Sequence, residues 1–370
     1  MAFTLSGLDV HYLVREAEPL LADAFLDKAY QGEGKRDFML RLRSPRHGKR
    51  QLFVRVPDAL FLTDHRFPWP QNPPGFCMQL RKRLANAQVD GIRQVGFERV
   101  VELSFRRGEE SWRLVVELFS KGNIILVDGD GVIRGVLDRQ RWKGRSLQPG
   151  EAYLPPPPTV DPRSLSFEGF FEKWRGSGKE LVRFCASDLG FGGKYAEEVV
   201  ARLGFDKFAT VLDDGQVRSL YDAVLSLFDR SLEPVVMGGD AAPFPLLTWP
   251  GAGRRDSFSG AVEEVVVAEK VEAAEEAVGK ESRKVTDRFV RIIDQQGKKL
   301  VGYEKSVVEN QRRGELVYER YQELSSLLGK VRSLLDDGGW PAVKEYIAEH
   351  GLPVKVNEKE GTVTFDVKDS

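Results

Sequence analysis

The stretch YLPPPPTVDP at 153–162 constrains the fold of this chain more than any other. Pro155 to Pro158 supply no backbone N–H and fix φ near −65°, so they fit neither a central strand nor a helix interior. They predict a stiff, extended linker, and the hydrophobic period changes across it. Before the linker, FMLRLRS (38–44) and QLFVRVP (51–57) alternate apolar and polar residues. The runs VDGIRQVG, FERVVELSF, SWRLVVELF, GNIILVD and GVIRGVL follow, with hairpin-like breaks at Arg107-Gly108 and Asp128-Gly129-Asp130-Gly131. This is the pattern of an antiparallel meander. Two helices are expected beside it. Ser6 and Asp9 fit a capping box, with Val10, Leu13, Val14, Ala17 and Leu21 at helical spacing behind them and Pro19 placed to kink or end the helix. FCMQLRKRLANA (76–87) reads as a second, short helix.

After the linker, residues 164–232 read as helical. Within them LGFGGKYAEEVVARLG (189–204) has the apolar-Gly-apolar-Gly order of a helix-hairpin-helix turn, where Gly190 and Gly192 would let a phosphate approach the N–H groups of a helix start. A plain glycine turn between helices has the same pattern. PFPLLTW (243–249) is expected as an edge strand and FSGAVEEVV (258–266) as a closing helix, both returning to the first domain. From about 271 to 335 runs one long polar helix. Leu300, Tyr303, Val307, Asn310, Gly314, Val317, Tyr321, Leu324, Leu328, Val331 and Leu335 step by three and four, a coiled-coil register. One helix cannot bury its own seam, so a second copy, another protein, or further sequence must cover it. A small helix (340–351) and a hairpin turned at Glu360-Gly361 (353–367) end the chain as a truncated domain would. The fold class is therefore α+β. Its expected parts are a β-rich domain over 1–158 with 236–268 returning to it, a helical module over 162–235, a coiled-coil arm over 270–335 and a small domain over 338–370.

Composition narrows the function. The 370 residues carry a net charge of −1, which argues against bulk nucleic-acid affinity. The charge is uneven, however. Residues 1–158 hold 25 Lys and Arg against 19 Asp and Glu, leaving 30 against 37 for the rest. A positive first segment is compatible with phosphate binding but not diagnostic of it, since solvated charged faces are the commoner cause. Candidate phosphate contacts are Arg81, Lys82 and Arg83 on the 76–87 helix, Arg41, Arg43, Arg46, Lys49 and Arg50 around the first hairpin, and Arg139, Arg141, Lys143 and Arg145 before the linker. Cys77 and Cys185 read as two reduced core thiols of a cytoplasmic protein. No Cys/His cluster suggests a metal, no cofactor motif is present, and no GxSxG, Walker loop or Cys–His pair suggests catalysis. No apolar run of about eighteen residues predicts a membrane span, and the N-terminus lacks the form of a signal peptide.

QVGFERVVEL (94–103) raises a specific question. If a strand starts at Phe97, then Arg99 shares the apolar column of Val101, Leu103 and Phe105, where an unpaired guanidinium is costly. It needs a partner or a ligand. The purely structural alternative pairs Arg99 with Asp9 or Glu102, and leaves Asp9 to cap its own helix. Gly122-Asn123 reads as a tight turn rather than a contact.

Seven stretches, LSGLDV (5–10), FCMQLRKRL (76–84), QVGFERVVEL (94–103), VVELFSKGNIILVD (115–128), GEAYLPPPP (150–158), the glycine hairpin (189–193) and FSGAVEEVV (258–266), together resemble the NFACT family of RqcH/NEMF-type ribosome quality-control factors, formerly called fibronectin-binding proteins. They occur in family order across nearly the whole chain. The resemblance implies an NFACT-N domain first, and a fragment that lacks the second coiled-coil arm and the C-terminal NFACT-R domain. It implies binding of an alanyl-type tRNA and of a large ribosomal subunit holding stalled peptidyl-tRNA, in support of mRNA-independent tailing of the nascent chain, with no enzymatic step of its own. It further implies tRNA contacts at Asp9, Glu98 and Arg99. Glu98 departs from the family's usual Asp and moves the carboxylate by about one methylene. Chemically, carboxylates accept from base edges, and Arg reads guanine or stacks on a splayed base. Two other functions compete. The β-rich domain followed by a helix-hairpin-helix is similar in layout to formamidopyrimidine-DNA glycosylases, but Met1-Ala2-Phe3 lacks their N-terminal proline and adjacent Glu. The older family label suggests a matrix-binding adhesin, against which the missing secretion signal and cysteine pairs stand.

Overall fold

The structure is a computed structural model that describes residues 3–34 and 36–365, with backbone alone for 273–286. Met1 and Ala2, where a glycosylase-like amine would sit, and residues 366 and 367 of the expected last hairpin lie outside the described residues. Two units group separately, Met1–Glu275 and Glu276–Ser370.

The first unit begins with α1 (Gly7–Leu21). Its capping box is formed as the sequence predicts: Ser6 Oγ accepts from the Asp9 N–H, and Asp9 accepts from the Ser6 N–H. Pro19 is accommodated inside the helix, which ends two residues later. Strands β1 (Phe25–Gln31), β2 (Asp37–Ser44), β3 (Gly48–Arg55) and β4 (Ala59–Leu62) follow, then α2 (Gly75–Leu84). Strands β5 (Gln88–Gln94), β6 (Val100–Arg107), β7 (Glu110–Glu117), β8 (Asn123–Asp128) and β9 (Ile133–Val136) complete a nine-stranded antiparallel sheet in the order β4-β3-β2-β1-β5-β6-β7-β8-β9. The sheet is two consecutive meanders joined where β1 meets β5.

Between β6 and β9 both faces of the sheet are buried. Val101, Leu103, Leu114, Val116, Ile124 and Leu126 face the main core. Val100, Val115, Ile125, Val127 and Ile133 face a smaller one. The small hairpin β10 (Gln140–Trp142) and β11 (Arg145–Leu147) contributes Leu147 to that second core, with Tyr153 packed against it. Two carboxylates are buried in β6 and β7, and each is neutralised. Glu102 pairs with Arg93 at 2.9 Å and Arg113 at 3.3 Å, while Glu117 pairs with Arg145 and accepts from the Tyr153 hydroxyl at 3.0 Å.

Residues 153–161 contain no helix or strand, as four prolines require. Helices α3 (Phe167–Ser177), α4 (Leu181–Arg183, continuing as a π turn over Phe184–Asp188), α5 (Gly192–Leu203) and α6 (Asp214–Ser226) follow. Their apolar faces, with Phe170, Trp174, Phe184, Tyr195 and Val199, belong to the same core as the sheet. The edge strand expected at 243–249 does not form. Pro243, Pro245 and Pro250 cannot donate to a ladder, and the segment turns instead. The small sheet here is β12 (Val235–Met237), β13 (Asp240–Ala242) and β14 (Gly253–Arg254). Helix α7 (Phe258–Glu319) starts as expected. Its first N–H groups, on Phe258 and Ser259, donate to the Glu16 carboxylate at 2.7 and 2.8 Å. Thr63 bonds Glu263 at 2.7 Å, and Arg55 bonds Glu269 at 2.8 Å, fastening the helix start to the sheet.

In the second unit α7 runs on to Glu319, and α8 (Tyr321–Glu349) follows after a break at Arg320. The predicted single helix is thus two, and Gly339 (φ 67°), shortly before Pro341, kinks α8. Val331 and Val343 are buried there. Upstream the seam is uncovered among the described residues, with Leu300 60%, Tyr303 68% and Val307 62% exposed. The hairpin β15 (Val354–Asn357) and β16 (Thr362–Phe365) turns at Gly361, as its sequence predicts. Among the described residues no helix is long and apolar enough to cross a membrane.

Candidate nucleic-acid interface

The QVGFERVVEL segment folds differently from a strand beginning at Phe97. Gly96 takes φ 58°, the chain turns through residues 96–99, and β6 begins only at Val100. Arg99 therefore stands in a turn at the sheet end rather than in an apolar column. Neither structural partner weighed for it holds it. Glu102 is taken by Arg93 and Arg113, and Asp9 by other groups. The described bond of the Arg99 guanidinium is one long donation to the Leu5 carbonyl, 3.3 Å. Burial pulls its pKa below the usual arginine range, and the neighbouring Glu98 carboxylate opposes this. A half-buried guanidinium with spare donors is chemically ready for an anion or a base edge.

The turn is held in place from three sides. Gln94 Nε2 donates to the Gly7 carbonyl at 2.8 Å and to the Glu98 carbonyl at 2.9 Å, tying β5, α1 and the turn together. Phe97 is buried edge-on against Phe191 and Phe228, with both ring centroids at 5.2 Å. Gly7 sits so close that a Cβ there would lie 2.7 Å from the Phe97 carbonyl oxygen. The proline linker supplies the third side. The Thr159 N–H donates to Glu98 Oε1 at 2.5 Å, and Arg163 Nη2 donates to the Gly96 carbonyl at 3.0 Å.

These elements enclose an open cavity of about 590 Å³. Glu98, Arg99, Gly190 and Gly192 line it together, with Ser6 and Gly7 at the α1 start and Pro156, Pro157 and Thr159 of the linker. Gly190 (φ 75°) and Gly192 (φ 71°) need the left-handed region that glycine tolerates, so the glycine turn can present bare backbone to this cavity. Four sequence-predicted positions from two distant segments thus meet at one place.

Asp9 does not line the cavity. It is fully buried beneath it, accepting from Ser6 N and Oγ at 2.8 and 2.7 Å and from the Tyr195 hydroxyl, with Lys194 Nζ at 3.3 Å. Lys194 also pairs with Asp240 at 3.1 Å and donates to the Ala241 carbonyl at 2.7 Å. Burial drives the Tyr195 pKa well above the phenol range, and the Asp9 charge adds to it. Burial likewise raises the Asp240 carboxyl, against the pull of Lys194. This network fastens α1 to the helix behind the glycine turn. Sequence reasoning passed over Lys194 and Tyr195. They stand in the glycine motif itself, but nothing local shows a partner at Asp9, far back in the chain.

The other basic candidates are elsewhere. Arg41 pairs with Asp27 at 2.7 Å, Arg43 and Lys49 are exposed on the β2–β3 hairpin, and Arg81 donates to the Ala29 carbonyl at 2.7 Å. Lys82 and Arg83 are exposed at the α2 end, and Arg141 and Lys143 on the β10–β11 hairpin. Arg145 serves structure, in its bond to Glu117. Gly122 turns with φ 66°, and the Asn123 side chain is buried, donating to the Asp138 carbonyl at 2.8 Å, so this pair is a structural turn. Among the described residues no group of His, Cys, Asp and Glu could hold a metal ion.

The family model for NFACT N-terminal and middle domains matches residues 6–363. The archaeal Rqc2 homolog aRqcH of Methanocaldococcus jannaschii is 30% identical over 394 aligned residues, spanning all of this chain and 59% of that protein. The Rqc2 homolog RqcH of Streptococcus suis is 24% identical, over 89% of this chain and 59% of its own length. The chain thus spans about 59% of each of these relatives. The solved N-terminal part of the fibronectin/fibrinogen-binding protein of Streptococcus suis has the same fold, with a TM-score of 0.61 at 24% identity over 72% of this chain and 100% of that one. The chain belongs to the NFACT family.

Proposed function

We propose that this chain is a ribosome-associated quality-control factor that binds tRNA, of the alanyl type, and the large ribosomal subunit carrying stalled peptidyl-tRNA. It presents charged tRNA for mRNA-independent extension of the nascent chain. It acts in the cytoplasm without a cofactor and without an enzymatic step of its own, since the ribosome supplies peptide transfer. The names of its relatives support the pathway. The observation that carries the tRNA reading is the half-buried Arg99, beside Glu98 in a cavity open to solvent and without a carboxylate bonded to it among the described residues. Glu98 and Arg99 touch RNA in this reading. Gly190 and Gly192 offer backbone N–H groups, and Asp9 holds the floor beneath them. Arg41, Arg43, Lys49, Arg81, Lys82, Arg83, Arg141 and Lys143 contribute phosphate contacts at longer range. The uncovered α7 seam takes a helical partner, which a second copy of the chain can supply. Sequencing RNA that co-purifies with the protein tests the proposal. Enrichment of one tRNA together with large-subunit rRNA is expected, and an RNA pool matching total cellular RNA would contradict it.

A further inference from the structure

A second surface, away from the Arg99 cavity, gathers cations around a single aromatic ring. Lys28 Nζ and the guanidinium carbons of Arg41 and Arg81 each lie 5.5 Å from the centroid of the half-buried Tyr30 ring. Lys28 and Arg41 are cross-strand partners on β1 and β2, and Arg81 reaches the ring from α2. The bonded carboxylate among these groups is Asp27, which accepts from Arg41 at 2.7 Å and is half exposed. Three positive charges around one ring repel one another, and an anion relieves that repulsion.

The aromatic surface continues past Tyr30. The Trp69 ring lies 5.8 Å away, tilted by 32°, and Phe67 follows at 6.2 Å. On this side Trp69, Phe67, Pro68 and Pro70 line a separate cavity of about 440 Å³, with Gly32 and Asp37 among its other walls. Cations interleaved with aromatic faces, beside a cavity walled by aromatic and proline rings with Glu33, Asp37 and Lys270 at its other sides, suit a ligand that alternates negative charge with planar rings. Single-stranded polynucleotide has that chemistry: phosphates meet the cations while unstacked bases lie on the rings.

We propose that Tyr30 and Trp69, rimmed by Lys28, Arg41 and Arg81, form a stacking site for single-stranded RNA. The site stands on its own geometry. The choice of RNA over DNA rests on the function proposed above. Part of the basic character seen along the sequence is thereby assigned: Arg41 and Arg81, far apart in the chain, serve one site.

Fluorescence anisotropy of the whole chain with a labelled oligouridylate of about ten nucleotides, and with its abasic counterpart, tests this. The parent should bind the base-bearing strand about tenfold more tightly than the abasic one. Tyr30→Leu should erase that preference, and the double variant Lys28→Gln with Arg41→Gln should weaken both strands and lower the salt slope. The loss of tRNA affinity caused by Arg99→Ala should persist in a Tyr30→Leu background, so failure here and failure of the Arg99 reading are distinguishable. Equal binding of both strands by the parent would reduce the patch to a polyanion surface, open equally to an acidic protein, and overturn the proposal. Crosslinking the parent to a 4-thiouridine oligomer needs no variant. Adducts on Tyr30 or Trp69 are expected, and adducts confined to residues near Arg99 would overturn the proposal.

Discussion

Asp9 and Arg99 look alike in the sequence, as charged residues beside apolar runs, yet their surroundings give them opposite roles. Asp9 is sealed in, and Ser6, Tyr195 and Lys194 depend on it. Asp9→Ala removes the Asp9 half of the capping box and strands a buried phenol and ammonium, so it should cost about 3 kcal/mol or more in urea denaturation. Arg99 makes one long bond at a half-exposed position, so Arg99→Ala should cost less than about 1 kcal/mol. Equal destabilisation by the two would contradict this division. His11 gives a third residue-scale expectation. Burial lowers its pKa below 6.5, the Phe228 carbonyl opposes this, and Arg163 and Arg15 add to the lowering. The folded state therefore holds the proton less tightly than the unfolded chain. The stability from neutral His11 is full above pH 6.5 and is lost as pH falls through the folded value. Melting temperatures followed from pH 7.5 down to 5 should fall less steeply for His11→Gln than for the parent.

Element by element, what could be read in advance depended on how local its cause was. The capping box, the β2, β3 and β5 to β9 runs and the proline linker follow from neighbouring residues and were legible. Strand β1 was not, because a register shift between Leu26 and Lys28 breaks its alternation. Strand β4, four residues of unbroken apolar type, carries no period at all. The start of β6 was misplaced because Gly96 turns the chain first. At the site, Glu98, Arg99 and the two glycines were legible as residue types in motifs. The linker wall and the Lys194–Tyr195 floor were not, since each depends on a contact between distant segments. That dependence makes close packing testable. Gly7→Ala forces a Cβ to 2.7 Å from backbone and should destabilise by about 1–3 kcal/mol while displacing the 96–99 turn. Gly176→Ala, inside α3 with open space around it, should stabilise by about 0.5–1 kcal/mol. Chemical denaturation of both variants checks the contrast, and similar losses would undo the packing argument.

At the scale of the whole molecule, the chain joins a unit built on a large sheet to a second, helical unit that leaves an apolar stripe exposed. The candidate nucleic-acid site lies in the first, where the linker, the α1 start and the glycine turn line one cavity with Arg99. The second carries a long helix with Leu300, Tyr303 and Val307 exposed, the surface proposed above to take a helical partner. The most direct measurement is the affinity of parent and Arg99→Ala protein for tRNA across a salt series, with melting curves taken alongside. The account predicts that Arg99→Ala melts within a few degrees of the parent and binds at least about tenfold more weakly, with a shallower salt dependence. Unchanged affinity in a folded Arg99→Ala protein would contradict it.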